Sequence, residues 1–162
     1  MWTRDSRSLV RETLGLRSKI LIVDDHEIVR QGIRTILATT RPEWEICREA
    51  QNGQEAIEAV KQLNPDVVIL DISMPMMSGI EAAKQIAKMG GHSRILIFTM
   101  HDAPALAAEI EAAGAHGYVV KSQAVRDLIF AIDTLLAGGK FFSPLTQSEI
   151  AKRTAPDTNT AV

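Results

Sequence analysis

Five short strand-like runs, each followed by a helical pattern and four of them closed by a polar residue, constrain this chain more than any other feature. The first, Ile20-Leu21-Ile22-Val23, ends at Asp24-Asp25. Four consecutive apolar, mostly β-branched residues without alternation describe a strand buried on both faces. Ile28, Val29, Ile33, Ile36 and Leu37 then recur at helical spacing and predict one inward-facing stripe. Glu45-Ile46-Cys47-Arg48-Glu49-Ala50 alternates, as a half-exposed edge strand does, and Cys47 reads as a core residue of it. Residues 53–63 form the next helix, with Ala56, Val60 and Leu63 inward, until Asn64-Pro65 stops it.

The remaining units repeat this grammar. Val67-Val68-Ile69-Leu70 ends at Asp71, with a helix after Gly79; Met74, Met76 and Met77 read as packing around Pro75. Ile95-Leu96-Ile97-Phe98 ends at Thr99, followed by Asp102 as a helix N-cap, Pro104 in the first turn and Gly114 as the stop. Residues 117–120 end at Lys121, and Val125, Leu128, Ile129, Ile132, Leu135 and Leu136 trace a final apolar stripe before Gly138-Gly139. Alternating strand and helix over about 120 residues predicts an α/β fold with a doubly wound, five-stranded parallel sheet and helices on both faces.

Length and charge bound the rest. At 162 residues the chain holds one such domain, assigned to residues 19–142, between an extension at 1–18 and a tail or truncated linker at 143–162. In the extension Arg4, Arg7, Arg11 and Arg17 interrupt the apolar residues, which argues against a secretory signal and leaves a loose leader or a docking arm. A net charge of -2 supplies no basic field for nucleic acid, and no apolar run is long enough for a membrane span. A single cysteine cannot form an internal disulfide, so the chain is expected in the cytoplasm.

In an open parallel sheet, ligands bind beyond the carboxyl ends of the strands. Those ends carry Asp24, Asp25, Asp71, Thr99 and Lys121. Three carboxylates gathered at one point repel each other unless a cation sits among them, and an oxygen-rich donor set suits Mg²⁺. An ammonium and a hydroxyl opposite would hold a phosphoryl group. No GxxxxGK[ST] loop accompanies them, so the phosphoryl group is not expected on a nucleoside triphosphate, and an aspartate is a candidate acceptor. His26, after the acidic pair, reads as a first-turn helix residue, and His92 and His116 as loop residues.

Residues 19 to about 143 resemble a response-regulator receiver domain, the CheY-like phosphoacceptor of two-component signalling with a flavodoxin-like (βα)5 fold. The resemblance lies in ILIVDDHEIVRQGIRTIL, VVILDISMPMMSGIEA, ILIFTMHD and GAHGYVVKS; DDHEIVRQG, FTMHD and GGKFFSP further resemble the NarL/LuxR-type subfamily. The resemblance implies that Asp71 accepts a phosphoryl group from a histidine kinase or phosphotransfer protein. Asp24, Asp25, Asp71 and the backbone carbonyl of Ser73 would bind Mg²⁺. Lys121 and Thr99 would contact the phosphoryl oxygens, Thr99 and Tyr118 would form the switch, and Ser73 and His101 would tune the acyl-phosphate lifetime. Phosphorylation would bring Tyr118 inward and change the face built from the fourth helix, fifth strand and fifth helix. Ser122 stands where the family often has proline, and Met100 is bulkier than the residue many receivers carry after the threonine.

The implied output is contact with a downstream effector protein, with a homodimer as a further expectation. The nineteen residues after Ser143 are too few for a helix-turn-helix, which needs roughly 60 residues. This chain is therefore not expected to bind DNA specifically; the alternative is the receiver portion of a LuxR-type transcriptional regulator. A phosphatase of the haloacid-dehalogenase kind is a remote rival, because Ser73 stands where such an enzyme places its general acid. The expected role is thus a phosphoacceptor switch and not an enzyme.

Overall fold

A computed structural model describes residues 10, 13–100 and 104–142. Five strands form one sheet: β1 (Lys19–Val23), β2 (Glu45–Ala50), β3 (Val67–Asp71), β4 (Arg94–Thr99) and β5 (Gly117–Val120). Between and after them lie α1 (Glu27–Thr40), α2 (Gly53–Leu63), α3 (Gly79–Lys88), α4 (Pro104–Ala112) and α5 (Ala124–Leu136). A single 3-10 turn, Lys121–Gln123, leads into α5. The sheet is wholly parallel in the order β2-β1-β3-β4-β5, which makes the alternating β2 an edge and the apolar β1, β3 and β4 interior strands. The predicted flavodoxin-like architecture is the one observed.

Alternation along the strands divides the core into two layers. Ile20, Ile22, Ile69, Leu96, Phe98 and Val119 face α1 and α5, packing with Ile33, Leu37, Leu128 and Ile132. Leu21, Val23, Leu70, Ile97 and Tyr118 face α2, α3 and α4, packing with Ala56, Val60, Ala83 and Ile110. Ile20, Leu21 and Ile22 have no exposed surface, and burial of side chains of this size contributes about 1.5–3 kcal/mol each.

Local capping follows the sequence. Asn52 Oδ1 accepts from the Glu55 N–H at 2.9 Å while the Glu55 carboxylate accepts from the Gln51 N–H at 2.8 Å, an arrangement close to a reciprocal capping box. Ser78 Oγ accepts from the Glu81 N–H at 3.2 Å and starts α3. After α5 the chain returns so that Phe141 bridges Gly117 in parallel, with the Tyr118 N–H donating to the Phe141 carbonyl at 2.7 Å. Only glycine fits there, because a Cβ on residue 117 would lie 2.3 Å from that carbonyl oxygen.

The predicted stripes need correction at their first turns. Ile28 is 81% exposed and Val125 is 84% exposed, because each precedes the point where its helix comes down onto the sheet. The inward position in the first turn of α1 is taken by Arg30. Met74 and Met77 pack against the core as expected, with Met77 beside Gly53, but Met76 points outward. Cys47 is half-buried, as the edge position of β2 dictates. Asp102, most of the N-terminal extension and the tail from residue 143 lie outside the described residues. Among the described residues no helix is long and apolar enough to cross a membrane.

Candidate functional site

The strand ends converge as the parallel topology requires. Asp71 closes β3 opposite Phe98, and Phe98 is opposite Val119. Thr99 therefore lies one residue beyond Asp71 along the sheet axis and Lys121 two residues beyond. By alternation Asp71 and Lys121 emerge on the α1/α5 face, whereas Thr99 and Tyr118 emerge on the α3/α4 face. Lys121 Nζ reaches across to Asp71 Oδ1 at 3.3 Å and to Asp24 Oδ2 at 2.8 Å. Asp24, Asp71 and Thr99 are all buried.

The turn after β1 holds the acidic pair. The Asp24 N–H donates to the Ala50 carbonyl at 3.1 Å, continuing the β1–β2 ladder one step. The Asp24 carboxylate folds back to accept from the His26 N–H at 2.8 Å. This turn makes His26 the N-cap residue of α1, with extended backbone, and not a residue of its first turn. The imidazole Nδ1 lies 3.2 Å from Asp24 Oδ1 and 3.0 Å from Asp25 Oδ1. His26 thus joins the acidic cluster, which reading it as a helix residue missed. Its immediate adjacency to Asp25 was the available signal.

Asp71 has its carboxyl pushed above the usual carboxylate range, first by burial and then by the negative charge of Asp24. Lys121 and the Ser73 backbone N–H pull in the opposite direction without cancelling this. A carboxylate oxygen from each of Asp24, Asp25 and Asp71, together with a His26 ring nitrogen, lies within 4.8 Å of the others. Asp25 Oδ1 is buried and receives no hydrogen bond among the described residues, the nearby His26 nitrogen standing outside bonding geometry. Crowded carboxylates and an orphaned oxygen are the features a divalent cation would relieve, so these residues can hold a metal ion.

The profile of the response regulator receiver domain matches residues 20–133 of this sequence. The chain belongs to that family. The receiver is 38% identical over 126 residues to the transcriptional regulatory protein LnrK of Bacillus subtilis, covering 78% of this chain and 57% of that one. It is 35% identical to the response regulator UvrY of Escherichia coli, covering 84% and 60%. Among solved structures, a LuxR-family two-component response regulator from Aurantimonas is 42% identical with a TM-score of 0.74, covering 85% of this receiver and 97% of that chain. The receiver domain of RcsB from Salmonella enterica, solved with phosphomimetic BeF3-, is 29% identical with a TM-score of 0.71, over 83% and 96%. The relatives are thus of the NarL/LuxR type, and the receiver spans about three fifths of the length of the curated ones.

The switch pair expected from the sequence lies on one face of the sheet. Tyr118 pairs in register with Ile97, two residues before Thr99, and its ring is already buried against the α3/α4 layer. The expected inward movement thus starts from a ring that is inward in this structure. Ser73 is exposed beside Asp71, Met100 is exposed just past Thr99, and His101 lies outside the described residues.

Proposed function

We propose that Asp71 is the phosphoacceptor of this receiver, that a histidine kinase or phosphotransfer protein is its donor, and that Mg²⁺ is the metal of the acidic cluster. The observation that supports this best is the bridge from Lys121 to both Asp71 and Asp24, which joins two strand ends through one ammonium. Asp24, Asp25 and Asp71 would hold the ion with the Ser73 carbonyl, and the ion would supply positive charge to the transferring phosphoryl oxygens. Lys121 and Thr99 stand at the same strand ends to neutralise and hydrogen-bond those oxygens. Burial of Asp71 keeps bulk water from its carboxylate, which favours a persistent acyl phosphate; Ser73 and His101 would set how quickly water returns.

The switch follows from charge. Phosphorylation replaces the single charge of the Asp71 carboxylate by the roughly two charges of an acyl phosphate, a net gain of about one negative charge at a site where Lys121 is already shared between two acids. Thr99 would be drawn toward the new oxygens, and the space beside Tyr118 on the same sheet face would change. The output is a protein contact made by the α4–β5–α5 face, to an effector or to a second receiver, in the cytoplasm. Because the relatives include transcriptional regulators of greater length, a second reading places this receiver ahead of a DNA-binding region in a longer protein.

Incubation with Mg²⁺ and acetyl phosphate is expected to add one acid- and base-labile phosphoryl group, absent in Asp71→Ala. Labelling of Asp71→Ala to the same extent would overturn the assignment. Turnover of a phosphomonoester would replace the switch by an enzyme of the haloacid-dehalogenase kind.

A further inference from the structure

An arginine occupies the inward position of the first turn of α1, where the helical phase of Ile33 and Leu37 calls for an apolar residue. The Arg30 side chain is only 8% exposed. Its Nη1 donates to the Asp24 backbone carbonyl at 2.6 Å, its Nε to Glu49 Oε1 at 3.0 Å, and its Nη2 to the Glu27 carboxylate. Arg34, one turn later, contacts the same two acids, Glu27 at 3.0 Å and Glu49. Two arginines and two glutamates therefore alternate in a closed ring between α1 and β2. Arg30 is the member of that ring that touches the Asp24 carbonyl.

Only Arg30 of this ring is buried, Glu27 being 63% exposed and Arg34 34%, so solvent screens the ion pairs and the ring is a poor source of stability. What an apolar residue could not supply is the hydrogen bond to the Asp24 carbonyl. That bond fixes the peptide joining Asp24 to Asp25, while the Asp24 N–H bond to the Ala50 carbonyl of β2 holds the preceding peptide. We infer that Arg30 is a positioning residue of the acidic site: it holds the Asp24–Asp25 peptide against carboxylate repulsion, so the cation meets a preformed pair. This rests on the Mg²⁺ reading above and extends it to a residue that does not touch the ion.

Charge and positioning predict opposite signs, which makes the inference testable. Removing a nearby positive charge should by itself tighten binding of a cation, whereas loosening the peptide should weaken it. Titration calorimetry of metal-free full-length protein with MgCl2 is expected to show about a 10-fold weaker Kd for Arg30→Met. Arg30→Lys, whose ammonium can still reach the carbonyl, should recover part of this. Arg34→Met, which takes the same charge from the same ring, should bind as wild type or tighter. Arg30→Met binding as tightly as wild type, or Arg34→Met weakening equally, would overturn the inference. Should Arg30→Met not fold, NMR of the wild type decides: the Arg30 Nη1–H signal, which reports the bond to the Asp24 carbonyl, must move with the Asp25 amide during the Mg²⁺ titration. An unmoved Arg30 signal alongside a moving Asp25 amide rejects the role. Failure of the wild type to bind Mg²⁺ at all removes the metal reading itself.

Discussion

Gly79 opens α3 directly beneath the proposed phosphoacceptor, and replacing it with alanine tests whether that packing is obligatory. A Cβ at residue 79 would stand 2.0 Å from the Asp71 carbonyl oxygen and 2.8 Å from both the Asp71 carbonyl carbon and Ile72 Cα. All three are backbone atoms, so no side chain can rotate away. Relief to 3.0 Å, the shortest separation real Cβ atoms tolerate, requires a 1.0 Å retreat of the start of α3 from the end of β3. That retreat threatens the 2.8 Å bond from the Gly79 N–H to the Ile72 carbonyl and pulls at the buried end of β3. Overpacking against fixed backbone plus one weakened hydrogen bond gives a cost of about 2–4 kcal/mol. Urea unfolding of Gly79→Ala should show a midpoint lowered accordingly with the slope unchanged. Gly32→Ala is the matched control. It lies within α1 with nothing within 4 Å of its added Cβ, and helix propensity should make it more stable by about 0.5–1 kcal/mol. A Gly79→Ala midpoint within experimental error of wild type would refute the close-packing argument.

Three further outcomes are expected. Asp71, held above its ordinary pKa of 3.8 by burial and by Asp24, binds more protons folded than unfolded once the pH exceeds that value. Its ionisation therefore costs stability as pH rises through the raised folded pKa; metal-free Asp71→Asn should melt above wild type at pH 7, and the difference should vanish below pH 3.8, as thermal scans across pH will show. His116 accepts from the Ile95 N–H at 2.9 Å and is pushed down to about 4 by burial, with Arg94 and Lys140 adding to this. Stability should then fall as pH drops from 6.5 to about 4, by about 1–2 kcal/mol after discounting for partial exposure, and ring-proton NMR should find one histidine neutral until near pH 4. Met76 has φ 70° and an 88% exposed side chain, so Met76→Gly should remove left-handed strain and raise the urea midpoint by the equivalent of about 1 kcal/mol.

Sequence alone determined the order and type of the strands and helices and the identity of the residues at the strand ends. Apolar runs such as 67–70 are long enough for a strand, too short for a helix, and specify burial on both faces without knowledge of neighbours. The parallel connection rule then brings Asp24, Asp71, Thr99 and Lys121 to one end of the sheet, because every strand must run the same way. Tertiary structure decided where each helix first meets the sheet. That contact point exposes Ile28 and Val125 and admits Arg30, and it depends on the angle at which the chain leaves the preceding strand. It also decided that the turn after β1 brings the His26 ring to the carboxylates, and that Arg30 reaches the Asp24 carbonyl and Glu49 on β2. Periodicity reports which face a residue occupies; the His26 contact depends on the path of one turn that periodicity does not describe. The Arg30–Glu49 contact joins residues far apart along the chain and arises only when α1 and β2 have docked.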